Sequence, residues 1–176
     1  ATTIVRATGA HIIAGQSGML RLADAGPELL RKLHNDLLVL AGQYDHVLLD
    51  LSAGVDRAVR TLATHGGPII VVTTDEPTAL TDAYAFIKLV NSQMSGLDFR
   101  VVVNMATDRH VGIHTFEKLA AACRNFLQIE PTLLGVVRAD DKVKDAIRNQ
   151  MPLLARHPSS KAGDDVEKIA RSLISG

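Results

Sequence analysis

The chain predicts a doubly wound α/β domain, a mostly parallel sheet with helices on both faces. Short apolar, β-branched runs recur at Ala10 to Ala14, His46 to Asp50, Ile69 to Thr73, Phe99 to Asn104 and Leu133 to Val137. Their apolarity is continuous rather than alternating, which marks strands covered on both sides and hence a parallel sheet. The stretches between them repeat apolar residues at helical spacing, so strands and helices alternate and the crossovers should be right-handed.

Each element has its own warrant. From Pro27 to Ala41, Leu30, Leu33, Leu37 and Leu40 share one face, with Pro27 suited to a first helical turn and Gly42 to a stop. A helix from about Val55 should bury Val55, Val59 and Leu62 and end before Gly66-Gly67-Pro68. The next, Pro77 to Ser95, turns Leu80, Ala83, Tyr84, Ile87 and Val90 inward, with Gly96 as its C-terminal stop. Phe116, Leu119, Ala120, Cys123 and Leu127 form a fourth stripe, and Val143, Ala146 and Ile147 a fifth ahead of Met151-Pro152. The last helix, about Lys161 to Ile174, presents Val166, Ile169, Ala170 and Leu173.

Composition bounds the function. A chain of 176 residues with 47% hydrophobic residues can bury a real core as one domain, residues 1–176. Nineteen basic and nineteen acidic side chains cancel, so no net field recruits nucleic acid or an anionic membrane. The single cysteine, Cys123, lies in a helical stripe and fits a buried small hydrophobe in a reducing cytosol. No apolar run approaches the roughly 18 residues of a membrane span, and the chain reads as cytoplasmic. It begins Ala1-Thr2-Thr3 rather than with Met, which suggests a processed or excised piece of something longer.

In doubly wound sheets ligands sit at the carboxyl ends of the strands. Those ends read Asp50-Leu51-Ser52-Ala53-Gly54, Thr73-Thr74-Asp75-Glu76-Pro77, Asn104-Met105-Ala106 and Arg138-Ala139-Asp140-Asp141. An apolar strand delivering Asp50 to its edge, followed by a flexible turn, is how nucleoside triphosphatases hold a water-bound Mg²⁺. Gly54 would let its amide approach a terminal phosphate. The ordinary alternative is a helix cap at Asp50. Asn104 carries a donor and an acceptor suited to a base edge, or is a turn residue. Asp140 could accept from a base or ribose, or cap the next helix. His110 and His114 have the four-residue spacing of a zinc pair, but a solvated role is the stronger reading. The partner motif Gly-x-x-x-x-Gly-Lys-Ser/Thr is absent, and no Gly-Lys pair occurs in the sequence.

Taken together, the strand ends resemble the MinD/ParA family of deviant P-loop ATPases across nearly the whole chain. Tyr44-Asp45-His46-Val47-Leu48-Leu49-Asp50-Leu51-Ser52-Ala53-Gly54-Val55-Asp56 is similar to the family's second-switch segment. Thr73-Thr74-Asp75-Glu76-Pro77-Thr78-Ala79-Leu80-Thr81-Asp82-Ala83-Tyr84 resembles its TTxEPTSLTDAY segment. Val101-Val102-Val103-Asn104, Leu134-Gly135-Val136-Val137 with Asp140, and Asn149-Gln150-Met151-Pro152 complete the series. The likeness is strongest to the flagellar-number-regulator (FlhG/FleN-like) branch, with cell-division MinD close behind. His11 to Gly18 is similar to the strand and Gly-rich turn that precede the second switch there.

The resemblance implies a P-loop NTPase-like fold and an ATPase that positions flagella or the division site. It implies ATP or ADP with Mg²⁺ as cofactors, and a homodimer formed on ATP binding whose turnover a partner protein stimulates. Asp50 would be the catalytic and Mg²⁺-supporting carboxylate, acting through water. Gly54 would lie near the γ-phosphate, and Asn104 and Asp140 near the adenosine. The P-loop lysines and first switch would lie upstream of Ala1, making this chain the C-terminal two-thirds of the ATPase domain and inactive in isolation. Met105 stands where relatives often carry Arg, and Arg138-Ala139 replaces a common Pro-Glu. The end of the chain lacks the group's basic amphipathic helix, so membrane association would need segments not present here. The competing expectation is a non-catalytic interaction module on the same fold.

Overall fold

A computed structural model describes residues 2–5, 10–13, 25–51, 57–64 and 67–174. In chain order the elements are β1 (Thr2–Val5), β2 (Ala10–Ile13), α1 (Pro27–Ala41), α2 (Arg57–Ala63), β3 (Ile69–Thr73), α3 (Pro77–Asn91), β4 (Phe99–Ala106), α4 (Arg109–Leu127), β5 (Thr132–Arg138), α5 (Asp141–Arg148), α6 (Leu153–Arg156) and α7 (Lys161–Ile174). Strands β3, β4 and β5 form a parallel sheet in that order. Parallel neighbours need crossovers, which α3 and α4 supply.

Both faces of the sheet are clothed, and two glycines show how. A Cβ on Gly112 of α4 would stand 2.3 Å from Val136 Cγ1, whereas one on Gly135 would stand 2.5 Å from Ile169 Cγ1 of α7. Gly135 and Val136 are consecutive on β5 and so point to opposite faces. Helix α4 therefore covers one face and α7 the other, each packed closely enough to require glycine. On the α4 side, Val71, Val101, Val103 and Val136 meet Ile87 and Val90 of α3 and Leu119 and Cys123 of α4 in the core. The expected stripes of α1, α3 and α4 are the buried or half-buried ones.

Four features depart from the sequence reading. The run His46 to Asp50 has no regular secondary structure and joins no ladder among the described residues, and Leu48 is 84% exposed. An apolar run becomes a strand only where a neighbour completes its backbone hydrogen bonds, and among the described residues β3 pairs with β4 alone. Ala10–Ile13 is a strand, but it pairs antiparallel with β1 in a separate two-stranded sheet, and all four of its residues are exposed. Helix α3 ends at Asn91, short of Ser95; Gly96, at φ 78°, serves the loop beyond. Finally, Ile147 is exposed, and α7 turns Ala162, Gly163 and Asp165 inward while Val166 and Ala170 face out. Val55 and the start expected for its helix lie outside the described residues.

Candidate functional site

The parallel register collects three of the four strand ends at one edge. Thr73 pairs with Val103, Val103 with Val136, and Ala106 with Arg138, so Thr74, Asn104 and Asp140 follow at the same carboxyl edge. The edge is closed by Ala139, whose N–H donates to the Ala106 carbonyl at 2.8 Å.

Asn104 is half-buried, and its Oδ1 accepts the Met105 N–H at 2.9 Å. Asp140 is the N-cap of α5: Oδ1 accepts from Lys142 N at 2.9 Å and Oδ2 from Ala162 N at 3.3 Å. The Lys142 N–H above all holds its carboxyl below the ordinary value, with further help from Ala162, against the opposing effect of burial. The ordinary capping role is thus filled, and each oxygen keeps a further lone pair for a ligand. Thr74 accepts Glu76 N at 3.4 Å, and Thr81 donates back to the Pro77 carbonyl at 2.8 Å, so these hydroxyls serve the start of α3.

Asp50 is exposed and has no partner among the described residues, and the next residue, Leu51, packs against the core. Among the described residues no cap or ion pair occupies the Asp50 carboxylate. A hard, unpaired oxygen donor of this kind fits Mg²⁺ held through water. Gly54 lies outside the described residues. His110 and His114 both fall in the first turns of α4, and His114 Nδ1 is 3.6 Å from Glu117 Oε2. Among the described residues no three His, Cys, Asp or Glu side chains gather as a metal site.

The sequence reading missed Asp165. Its carboxylate is buried and takes Arg138 Nε at 2.7 Å, the Arg138 N–H at 3.1 Å and Arg109 at 2.9 Å. Burial pushes its pKa up, but Arg138 and Arg109 together bring it below the ordinary carboxylate value. Arg138, which stands at the strand end where a base-side residue was sought, is thereby committed to the interior. The signal was present as spacing, since Ala162, Asp165, Ile169 and Leu173 form one helical stripe.

Parallel strands with polar side chains at their carboxyl edge and helices on both faces define a doubly wound α/β fold. No family model matches the chain. It is 29% identical over 167 residues to the antiactivator FleN of Pseudomonas aeruginosa, covering 95% of this chain and 60% of that protein. To the flagellum site-determining protein YlxH of Helicobacter pylori it is 29% identical over 169 residues, covering 95% and 56%. To the septum site-determining protein MinD of Bacillus subtilis it is 27% identical over 143 residues, covering 81% and 52%. Solved folds agree: MinD of Pyrococcus horikoshii complexed with Mg-ADP superposes with a TM-score of 0.64 at 23% identity, covering 81% of this chain and 56% of that one. The MinC:MinD complex of Aquifex aeolicus gives 0.66 at 19%, covering 84% and 59%. The chain is thus similar to FleN, YlxH and MinD, proteins of the kind its strand ends resemble, and it spans about 60% of the length of FleN.

Proposed function

We propose that the chain is the second-switch and adenosine-binding portion of a MinD/ParA-like ATPase that sets the number or place of flagella. In this reading its 176 residues form a single α/β unit corresponding to the later two-thirds of the ATPase domain. The observation that carries the proposal is the convergence of Thr74, Asn104 and Asp140 on one sheet edge. YlxH, a flagellum site-determining protein by name, supports the choice of flagella over the division site.

Asp50 would hold Mg²⁺ through water, with Gly54 at the terminal phosphate and Asn104 and Asp140 at the adenosine. Bound Mg²⁺ would neutralise charge on the transferring phosphoryl group. The residues here orient it: Asp50 fixes the metal's hydration shell, and the Asn104 carboxamide fixes the base. ATP would join two copies, and a partner protein would stimulate turnover, as an assembly-sensing switch requires differential binding of the two nucleotide states. Peripheral membrane attachment would come from segments other than these.

The test is genetic. Deleting the gene in its native host should change flagellar number or placement under the electron microscope. The intact gene should restore it and Asp50→Ala should not. Normal flagella with misplaced division septa would move the reading to the division-site branch; full rescue by Asp50→Ala would point instead to a non-catalytic interaction module.

A further inference from the structure

We propose that the cleft between α1 and α2 binds a phosphate group, through residues none of which belongs to the strand-end site. The cleft measures 250 Å³ and is lined by Arg31, His34 and Asn35 of α1, Thr61 in the last turn of α2, and Thr64 just beyond it. Arg31, His34 and Asn35 follow one another at three- and four-residue steps, which places them on one face of their helix. Thr61 and Thr64 stand three residues apart and meet that face from the α2 side. The apolar stripes of the two helices are already closed, since Leu30, Val59 and Leu62 are buried. The cleft is thus a polar margin of the seam and not a gap in the core.

The lining is of one chemical kind. Each of the five side chains can donate a hydrogen bond, and none is acidic. Arg31 forms no ion pair among the described residues, although Glu28 stands three residues before it, a spacing at which surface pairs form. His34 and Asn35 are likewise without a hydrogen-bond partner among the described residues. The Thr64 hydroxyl donates to the Thr61 carbonyl at 3.0 Å. That bond occupies a carbonyl of the last turn of α2, where free carbonyls would repel an anion.

Such a set calls for an anion, and the donor count selects among anions. A guanidinium presents a planar fork that two oxygens of a carboxylate or a phosphate accept together. A carboxylate is saturated by about four hydrogen bonds. The Arg31 fork, an imidazole N–H, the two carboxamide N–H groups of Asn35 and the Thr61 hydroxyl offer more than that, which suits the three acceptor oxygens of a phosphate. The volume sets the size. It lies below the roughly 300–1,000 Å³ of sites for drug-sized ligands, so the free ion or a small phosphate ester fits and a dinucleotide does not.

The experiment titrates inorganic phosphate, glycerol 3-phosphate and succinate into the product of the whole gene by calorimetry, with Mg²⁺ and ADP present throughout so that a nucleotide site is already filled. Saturable phosphate binding with a Kd of about 1 mM or tighter is expected. Arg31→Gln should weaken it about tenfold, the loss of one charge-assisted pair, and Arg31→Lys should restore it only in part, because a point charge lacks the fork. Arg31 is exposed, so both variants should melt as the wild type does. Should they melt early, Asn35→Ala supplies the comparison from an exposed neighbour. Tighter binding of glycerol 3-phosphate would name a phosphate ester as the occupant, and equal affinities the free ion; either sustains the site. No phosphate binding, binding indifferent to these substitutions, or succinate bound as tightly as phosphate would sink the inference. Since the strand-end residues are untouched, each of those results leaves the nucleotide reading standing.

Discussion

Asp165 shows how one side chain can hold a sheet edge together. It is 2% exposed and joins the end of β5 to the start of α4 through Arg138 and Arg109. A buried charge is tolerated when its hydrogen-bond capacity is met, and removing one partner leaves the other stranded. Arg109 and Arg138 retain some access to water, so Asp165→Asn should cost about 3 kcal/mol, the low end for a buried pair, read by urea unfolding at neutral pH. The pH dependence has a definite sign. Asp165 and Asp145 both have folded pKa values below their unfolded ones, so their contributions are present above about pH 4 and fade as pH falls through the folded values. Arg156, then His157, pull Asp145 down to about 2. In Asp145→Asn the acid limb of the stability profile between about pH 4 and pH 2 should be shallower; an unchanged limb would mean these contacts do not persist in solution.

At the scale of elements, close helix–sheet approach is the organising feature. Gly135→Ala would drive a methyl into Ile169 and should destabilise by about 1–3 kcal/mol, the usual range for overpacking. Gly112→Ala meets Val136 in the same way but regains about 1 kcal/mol of helix propensity, so its loss should be smaller. Thermal melts of the two variants test the order. Much of this was legible in the sequence. The runs Ile69 to Thr73, Phe99 to Asn104 and Leu133 to Val137 are all strands of the parallel sheet, because continuous apolarity reports burial on both faces. The run His46 to Asp50 has the same local pattern, yet no sequence pattern says whether a neighbouring strand is there to pair with it. The inward face of α7 was misread for a related reason. Asp165 looks like a surface residue until Arg138 and Arg109, 27 and 56 residues away, are brought against it. At the edge itself, Asn104 and Asp140 were legible as polar strand ends, whereas the left-handed backbone at Met105, φ 57°, had no local signal.

For the molecule as a whole, the β3 margin of the sheet leaves apolar surface exposed among the described residues. Strand β3 has no partner on its outer side among the described residues. The register places Val72 beside Val102 and Gly135, and whereas Val102 is buried, Val72 is 61% exposed. An apolar edge without lysine, proline or a bulge invites pairing with another strand. The isolated chain should therefore self-associate with rising concentration in sedimentation velocity, and Val72→Lys should reduce that association. A monomer up to high concentration would show that the margin is covered by the chain itself.

The nucleotide assignment meets its most direct test in a titration of a fluorescent ATP analogue into the product of the whole gene, with and without Mg²⁺, alongside Asp50→Ala. Saturable binding that strengthens with Mg²⁺ in the wild type and loses that dependence in Asp50→Ala is the predicted result. Binding indifferent to both Mg²⁺ and Asp50, or no binding at all, would contradict it.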